Sequence, residues 1–215
     1  MNKKNYDAEM LKECEALKNI GAKPNLLLHS CCAPCSTAVI ERLEEFFNVT
    51  VFYYNPNIDC EKEFLIRAAE QKRFCAEKGV GYIAEEYRPN EFYRAVAGRE
   101  GDTEGGKHCY LCYKLRLKKT AEKAAEFGFR YFTTTLSVSP YKNAEWLVQA
   151  GREVEKEMIE NSCGKQVPTF LPADFKKRGG YLRSTVLSEE YGLYRQDYCG
   201  CVYSKKEREA AKKTD

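Results

Sequence analysis

The sequence has no apolar run approaching the roughly 20 residues that a membrane-spanning helix needs, so no membrane partner is expected. Its opening stretch, MNKKNYDAEMLKECEALKNIG, carries charges where a secretory signal would carry an apolar core. The reading is a cytoplasmic protein. Glycine-rich phosphate loops are missing too. Neither GxGxxG nor GxxxxGK followed by Ser or Thr occurs, which removes the usual support for a nucleotide cofactor. Histidine is scarce, with His29 and His108 the only two. No internal repeat or low-complexity linker interrupts the chain. It reads as one domain over residues 1–215, with a core at about 24–204 and a basic tail at 205–215.

Cysteine is abundant, at eleven residues. In a reducing compartment an odd number of thiols, in a chain long enough to build its own core, argues for metal or redox chemistry over a disulfide framework. Seven of the eleven fall into three tight groups: Cys31, Cys32 and Cys35 in LLLHSCCAPCST, Cys109 and Cys112 in CYLC, and Cys199 and Cys201 in CGC. A CxxC at a helix start puts both sulfurs on one face and suits two ligands of one centre. A CxC in extended chain points both sulfurs the same way, whereas adjacent cysteines point apart. That geometry assigns Cys31 and Cys32 to different, neighbouring centres. Zinc takes four ligands, fewer than are present, and a thiol–disulfide relay is a further use of CxxC. Cys14, Cys60, Cys75 and Cys163 read as structural or incidental.

Strand and helix patterns alternate. NLLLHS, VTVFYYNPN, VGYIAEEY, FRYFTTT and part of KQVPTFLPADF read as strands. Helices are expected from Asp7 (as cap) to Ile20, from Ser36-Thr37 onward, over EKEFLIRAAEQKRFCAEKG, NEFYRAVAG, CYLCYKLRLKKTAEKAAEFG and KNAEWLVQAGREVEKEMIEN, and from Ser184 to Tyr191. The basic tail reads as a loose helix. GREGDTEGGKH has the composition of a mobile loop. The pattern predicts an α/β fold, a Rossmann-like, mostly parallel sheet of about five strands with a cysteine-bearing C-terminal extension. In such sheets ligands bind beyond the carboxyl ends of the strands, where Cys31-Cys32 and SVSPY fall.

Further candidates are weighed against plainer roles. Each histidine adjoins a cysteine group and reads as a hydrogen-bonded structural residue or a ligand. Asp174 in PADF could ligand iron, donate a proton or cap a turn. Asp59 reads as easily as a helix cap. KLRLKK and KKEREAAKK are basic, and Tyr191, Tyr194, Arg195 and Tyr198 crowd next to CGC. Such segments suit phosphate contact and base stacking, or simply a solvated face and a core.

Together LLLHSCCAPCST, FYYNPNI, HCYLCYKLRL, YFTTTLSVSPYKN and LYRQDYCGCVYS, in that order from about Leu26 to Ser204, resemble the QueH-type epoxyqueuosine reductases. The resemblance implies iron–sulfur-dependent reduction of epoxyqueuosine to queuosine at the wobble position of tRNA, the last step in making that base. It also implies an adenine-nucleotide α-hydrolase-like (HUP) sheet, in which His29 to Cys32 stand where ATP-using relatives carry a phosphate loop. On this reading Cys32, Cys109, Cys112 and Cys199 hold a 4Fe-4S cluster. Cys31, Cys201 and Asp174 are then the catalytic group and the donors for a second, mononuclear iron, with Cys35 able to replace any of the six thiols. Arg116, Lys118, Lys119 and the C-terminal lysines contact tRNA phosphate, and an electron donor is a further partner. The alternatives are a cluster-dependent tRNA sulfur-transfer enzyme, which would need an ATP loop, a zinc-stapled tRNA-binding module without catalysis, and a thiol–disulfide oxidoreductase.

Overall fold

The computed structural model describes residues 4–212. Five parallel strands, β1 (Asn25–Ser30), β2 (Asn48–Tyr53), β3 (Gly81–Ala84), β4 (Tyr131–Thr134) and β5 (Thr169–Phe170), form one sheet in the order β3-β2-β1-β4-β5. Alternation along β1 sets the two cores. Leu26 and Leu28 face a layer that includes Val39, Ile40, Phe74 and Met10, while Leu27 faces Phe132, Leu117, Leu147 and Phe170. Both faces are apolar because both are covered, as parallel sheets require. Helices α1 (Tyr6–Asn19), α2 (Ala33–Leu43), α3 (Glu61–Lys78) and α7 (Gly180–Glu190) pack on the first side, α5 (Lys107–Glu126) and α6 (Ala144–Asn161) on the second. The short α4 (Pro89–Ala95) leans on α5, and α8 (Val202–Ala211) closes the described chain.

Strand order runs outward in both directions from β1, with β2 on one side and β4 on the other. The crevice beyond their carboxyl ends is therefore the switch point of the sheet. Residues 31–35 leave β1 there, and a 3-10 turn, Thr135–Val138, leaves β4 there.

Three helix starts differ from the sequence reading, two of them for one physical reason. Ser36 and Thr37 look like caps, but α2 begins at Ala33, with Cys32 as its extended N-cap residue and Pro34 in the first turn. The two hydroxyls sit inside the helix, donating back to the carbonyls of Ala33 (2.9 Å) and Pro34 (3.0 Å). Ser184 behaves likewise, donating to Tyr181 O at 2.6 Å inside a helix that starts at Gly180. At α1 the cap is Asn5. Asp7 is instead buried between Arg42 (2.5 Å) and Arg178 (2.9 Å). The tail is helical as expected up to Ala211, and Lys213 lies outside the described residues.

Candidate metal and thiol centre

The start of α2 corrects the expected divergence of the adjacent cysteines. Because the chain turns into a helix at Cys32, the Cys31 and Cys32 sulfurs lie 3.7 Å apart. Cys35, three residues into the turn, brings a third sulfur, and all three lie within 4.8 Å of one another. No basis remains for dividing Cys31 from Cys32 by orientation. The crowding splits their ionisation. Hydrogen bonds from its neighbours Cys31 and Cys35 hold the Cys32 thiol well below the usual range, while Cys31, sharing a proton with Cys32, rises to about 11.

Cys109 and Cys112 stand on one face of the first turns of α5, both buried. Burial pushes Cys109 up to about 11 and raises Cys112. Cys112 packs in a small cluster with Cys201, Phe92 and Val96, so the second and third cysteine groups meet. Cys199 is held low by its hydrogen bond with Cys201 and then by Lys142 and Arg116, and Cys201 is raised correspondingly.

Gly200 makes this CGC turn possible. Its φ is +109°, and a Cβ there would stand 2.9 Å from Ile58 Cγ1 and 3.1 Å from Arg67 Nη1. Gly200→Ala is expected to displace Cys199 and Cys201. The measurement is the rate at which a maleimide labels these two thiols in the native protein, which should rise at least severalfold.

One cavity of about 130 Å³ at the switch point joins the first and third groups. Its walls include Cys31, Cys35, Cys199, Arg116, Lys142 and Tyr198. Two guanidinium–tyrosine pairs are among its lining residues: Arg195 lies 6.0 Å from the Tyr181 ring centre, and Arg208 lies 5.2 Å from that of Tyr141. Tyr141 is 64% exposed, so its ring is free to be stacked upon. Sequence reasoning missed Tyr141, Lys142, Tyr181 and Arg208. The cue for the first two was SVSPYKN, already recognised as following a strand end.

The other candidates fall as follows. His29 is buried, with Nδ1 2.9 Å from Thr134 Oγ1 and Nε2 3.0 Å from the carbonyl of Tyr54. Both nitrogens are engaged, and burial lowers its pKa to about 3, so the imidazole is a neutral strut between strands. His108 has Nε2 3.4 Å from Cys109 Sγ, while its Nδ1 is buried without a hydrogen-bond partner. Asp174 pairs with Lys176 at 2.9 Å and is not part of the cavity wall. Asp59 is no cap. It ties Lys205 (3.1 Å) and Tyr198 (3.4 Å) to the start of α3. Arg116, expected on a solvated basic face, is 0% exposed and lines the cavity, because α5 turns residues 109, 112 and 116 inward together. Lys118 is exposed, Lys119 is half-buried, and neither reaches the cavity. Tyr191 packs edge-on against Phe74, and Tyr194 bonds Glu63, leaving Arg195 and Tyr198 as the cavity-facing members of that segment. Cys14 and Cys75 are core thiols, and Cys60 and Cys163 are exposed. The loop through Glu104 is anchored to the site: Lys142 donates to Glu104 at 3.0 Å, and the Glu104 amide donates to Glu207.

A Rossmann-like parallel sheet whose switch-point crevice is walled by two groups of cysteines, with a third packed against one of them and no phosphate loop, defines an α/β protein of thiol or metal chemistry. Residues 26–207 match the family described as epoxyqueuosine reductase QueH, and the chain belongs to that family. The epoxyqueuosine reductase QueH of Streptococcus pyogenes serotype M1 is 40% identical over 208 residues, covering 94% of this chain and 78% of the relative. That of Staphylococcus epidermidis is 37% identical, covering 93% and 84%, and that of Thermotoga maritima is 33% identical, covering 85% and 91%. Among solved structures, the U34-tRNA thiolase NcsA from Methanococcus maripaludis with its 4Fe-4S cluster superposes with a TM-score of 0.51 at 16% identity, covering 92% of this chain and 67% of that one. At that identity the likeness is one of fold. Among the described residues no helix is long and apolar enough to cross a membrane.

Proposed function

We propose that this chain, acting in the cytoplasm, reduces epoxyqueuosine in tRNA to queuosine, taking the epoxide oxygen away as water. The observation that carries the reading, in a member of this family, is that the first and third cysteine groups wall one switch-point cavity while Cys112 of the second packs against Cys201 of the third.

The donor set fits an iron–sulfur group. Thiolates are the ligands such clusters use, and buried cations stand beside them. On this reading Cys31 and Cys32 would join Cys109 and Cys112 as the ligands of one 4Fe-4S cluster. Cys35, Cys199 and Cys201 are then the thiols left for a second metal, and Asp174 would have to leave Lys176 to join them. When bound, the cluster supplies electrons one at a time to a reaction that consumes two electrons and two protons. The chain's own residues do the rest. Leu136 and Val138 give the cavity an apolar patch, and the Lys142 ammonium, held by Glu104, keeps a positive charge at its wall. The Arg195–Tyr181 and Arg208–Tyr141 pairs offer rings for unpaired anticodon-loop bases and guanidiniums for the flanking phosphates.

Changing Arg195 and Arg208 together to Ala is expected to weaken tRNA binding about tenfold at moderate salt and to reduce the slope of log K against log salt by roughly 1–1.5. Fluorescence anisotropy of a labelled anticodon stem-loop at several salt concentrations measures both. An unchanged slope would remove these residues from the interface.

Metal analysis of anaerobically purified protein tests the cofactor. About four irons and four acid-labile sulfides per chain, with brown absorption, are expected. The close spacing of Cys31, Cys32 and Cys35 also suits a single tetrahedral ion. Stoichiometric zinc without sulfide, in protein that still binds tRNA, would instead make the chain a stapled binding module.

A further inference from the structure

Arg116 is a buried charge without a carboxylate partner. It is 0% exposed. Its Nε donates to the Cys112 carbonyl at 3.3 Å, but Nη1 and Nη2 are buried with no hydrogen-bond partner. A buried guanidinium left in that state is strongly unfavourable. The same fold pairs its other fully buried arginine: Arg67 donates to the Glu63 carboxylate at 2.7 Å. The Tyr113 ring centre lies 5.9 Å from the Arg116 guanidinium carbon, and the rest of that setting holds sulfur. Cys112 is one turn back on the same helix, and Cys31 and Cys199 share the cavity wall with Arg116. It stands one turn beyond Cys112 on the inner face of α5, and it lines the cavity. Lys142, 8% exposed, reaches the same cavity from the loop after β4. Glu104 engages that ammonium at 3.0 Å, whereas the Arg116 Nη groups have no carboxylate to bond.

We infer that Arg116, seconded by Lys142, is the built-in counter-charge of the sulfur site, a positioning residue that steadies an anionic iron–sulfur group and makes it easier to reduce. The inference rests on the proposed cofactor. A four-thiolate iron–sulfur cluster is a net anion, and each added electron makes it more so. A fixed cation in a dry surrounding favours the reduced form more than the same charge in water would. The two unpartnered Nη groups are donors for cluster or thiolate sulfur, the hydrogen bonds through which a protein raises a cluster's potential.

The test compares wild type, Arg116→Gln, Arg116→Lys and Lys142→Met, each purified without oxygen. Redox titration followed by absorbance and EPR gives the midpoint potential, iron analysis gives the loading, and melting of the iron-free proteins gives stability. In Arg116→Gln the potential is expected to shift negative. Arg116→Lys should recover most of the shift, and Lys142→Met should shift it less in the same direction. Loss of iron from Arg116→Gln but not from Arg116→Lys would be the same dependence on charge. The iron-free Arg116→Gln protein should melt close to wild type, since no carboxylate loses its partner and two unpartnered buried donors are removed. An unchanged potential at full iron loading overturns the inference alone, as does iron-free Arg116→Gln melting well below wild type, which would make the residue a structural strut. If Arg116→Gln does not accumulate as folded protein, Lys142→Met and Arg116→Lys decide by the same readings. Wild-type protein without iron–sulfur absorption overturns the proposed cofactor and the inference together.

Discussion

Cys112→Ser removes the iron–sulfur absorption and lowers the rate of epoxyqueuosine reduction by more than about a hundredfold. The change keeps the side chain's size and costs little packing with Phe92 and Val96, but a serine hydroxyl does not ionise to bind iron as a thiolate does. The sulfur is buried at the junction of two cysteine groups, one turn before Arg116. Cys60→Ser is the control, because Cys60 is exposed and outside the cavity. Iron content, colour and rate should stay at wild-type values there and collapse in Cys112→Ser. A brown, active Cys112→Ser protein would contradict the ligand assignment.

Arg67→Met is expected to have the largest effect on stability. Arg67 is buried on α3, donates to Glu63 at 2.7 Å and to the Cys199 carbonyl at 3.3 Å, and lies 5.1 Å from the Tyr198 ring centre. It is the peg on which the CGC turn hangs, with Asp59 N donating to Gly200 O at 2.9 Å beside it. Methionine fills the space but strands the Glu63 carboxylate and releases the Cys199 carbonyl. Breaking such a buried arrangement costs about 3 kcal/mol or more, a fall of roughly 6–12 °C in melting temperature for a chain of this size. Hydrogen exchange should show the Asp59 and Cys199 amides opening first, since the Cys199 amide is held only by Ser204 Oγ at 3.2 Å. An unchanged melting temperature would contradict this account of how the third cysteine group is held.

Much of this architecture was legible in the chain. NLLLHS forms β1 residue for residue, and Gly79 ends α3 in the left-handed conformation, because an apolar run and a glycine stop are local signals. The five-strand parallel sheet follows from the strand–helix alternation. The start of α2 was not legible, because a serine and a threonine that bond backward inside a helix look in sequence like caps. That shift of three residues decides the chemistry. It brings Cys35 into the first turn and swings the Cys31 and Cys32 sulfurs together. Arg116 was misread for a related reason. KLRLKK looks like a basic surface stripe, yet Cys109, Cys112 and Arg116 share one helical face, and the tertiary fold buries that face. Tyr141, Lys142 and Arg208 join the cavity only through contacts between distant segments, which no local pattern records.

The most direct measurement of the central claim is a single-turnover reaction without oxygen. Iron-replete protein, reduced with dithionite, is mixed with tRNA carrying epoxyqueuosine, and the digested nucleosides are read by mass spectrometry. The account predicts that epoxyqueuosine disappears and queuosine, lighter by one oxygen atom, appears in its place. Binding of the tRNA by brown, reduced protein with the epoxide left intact would contradict it.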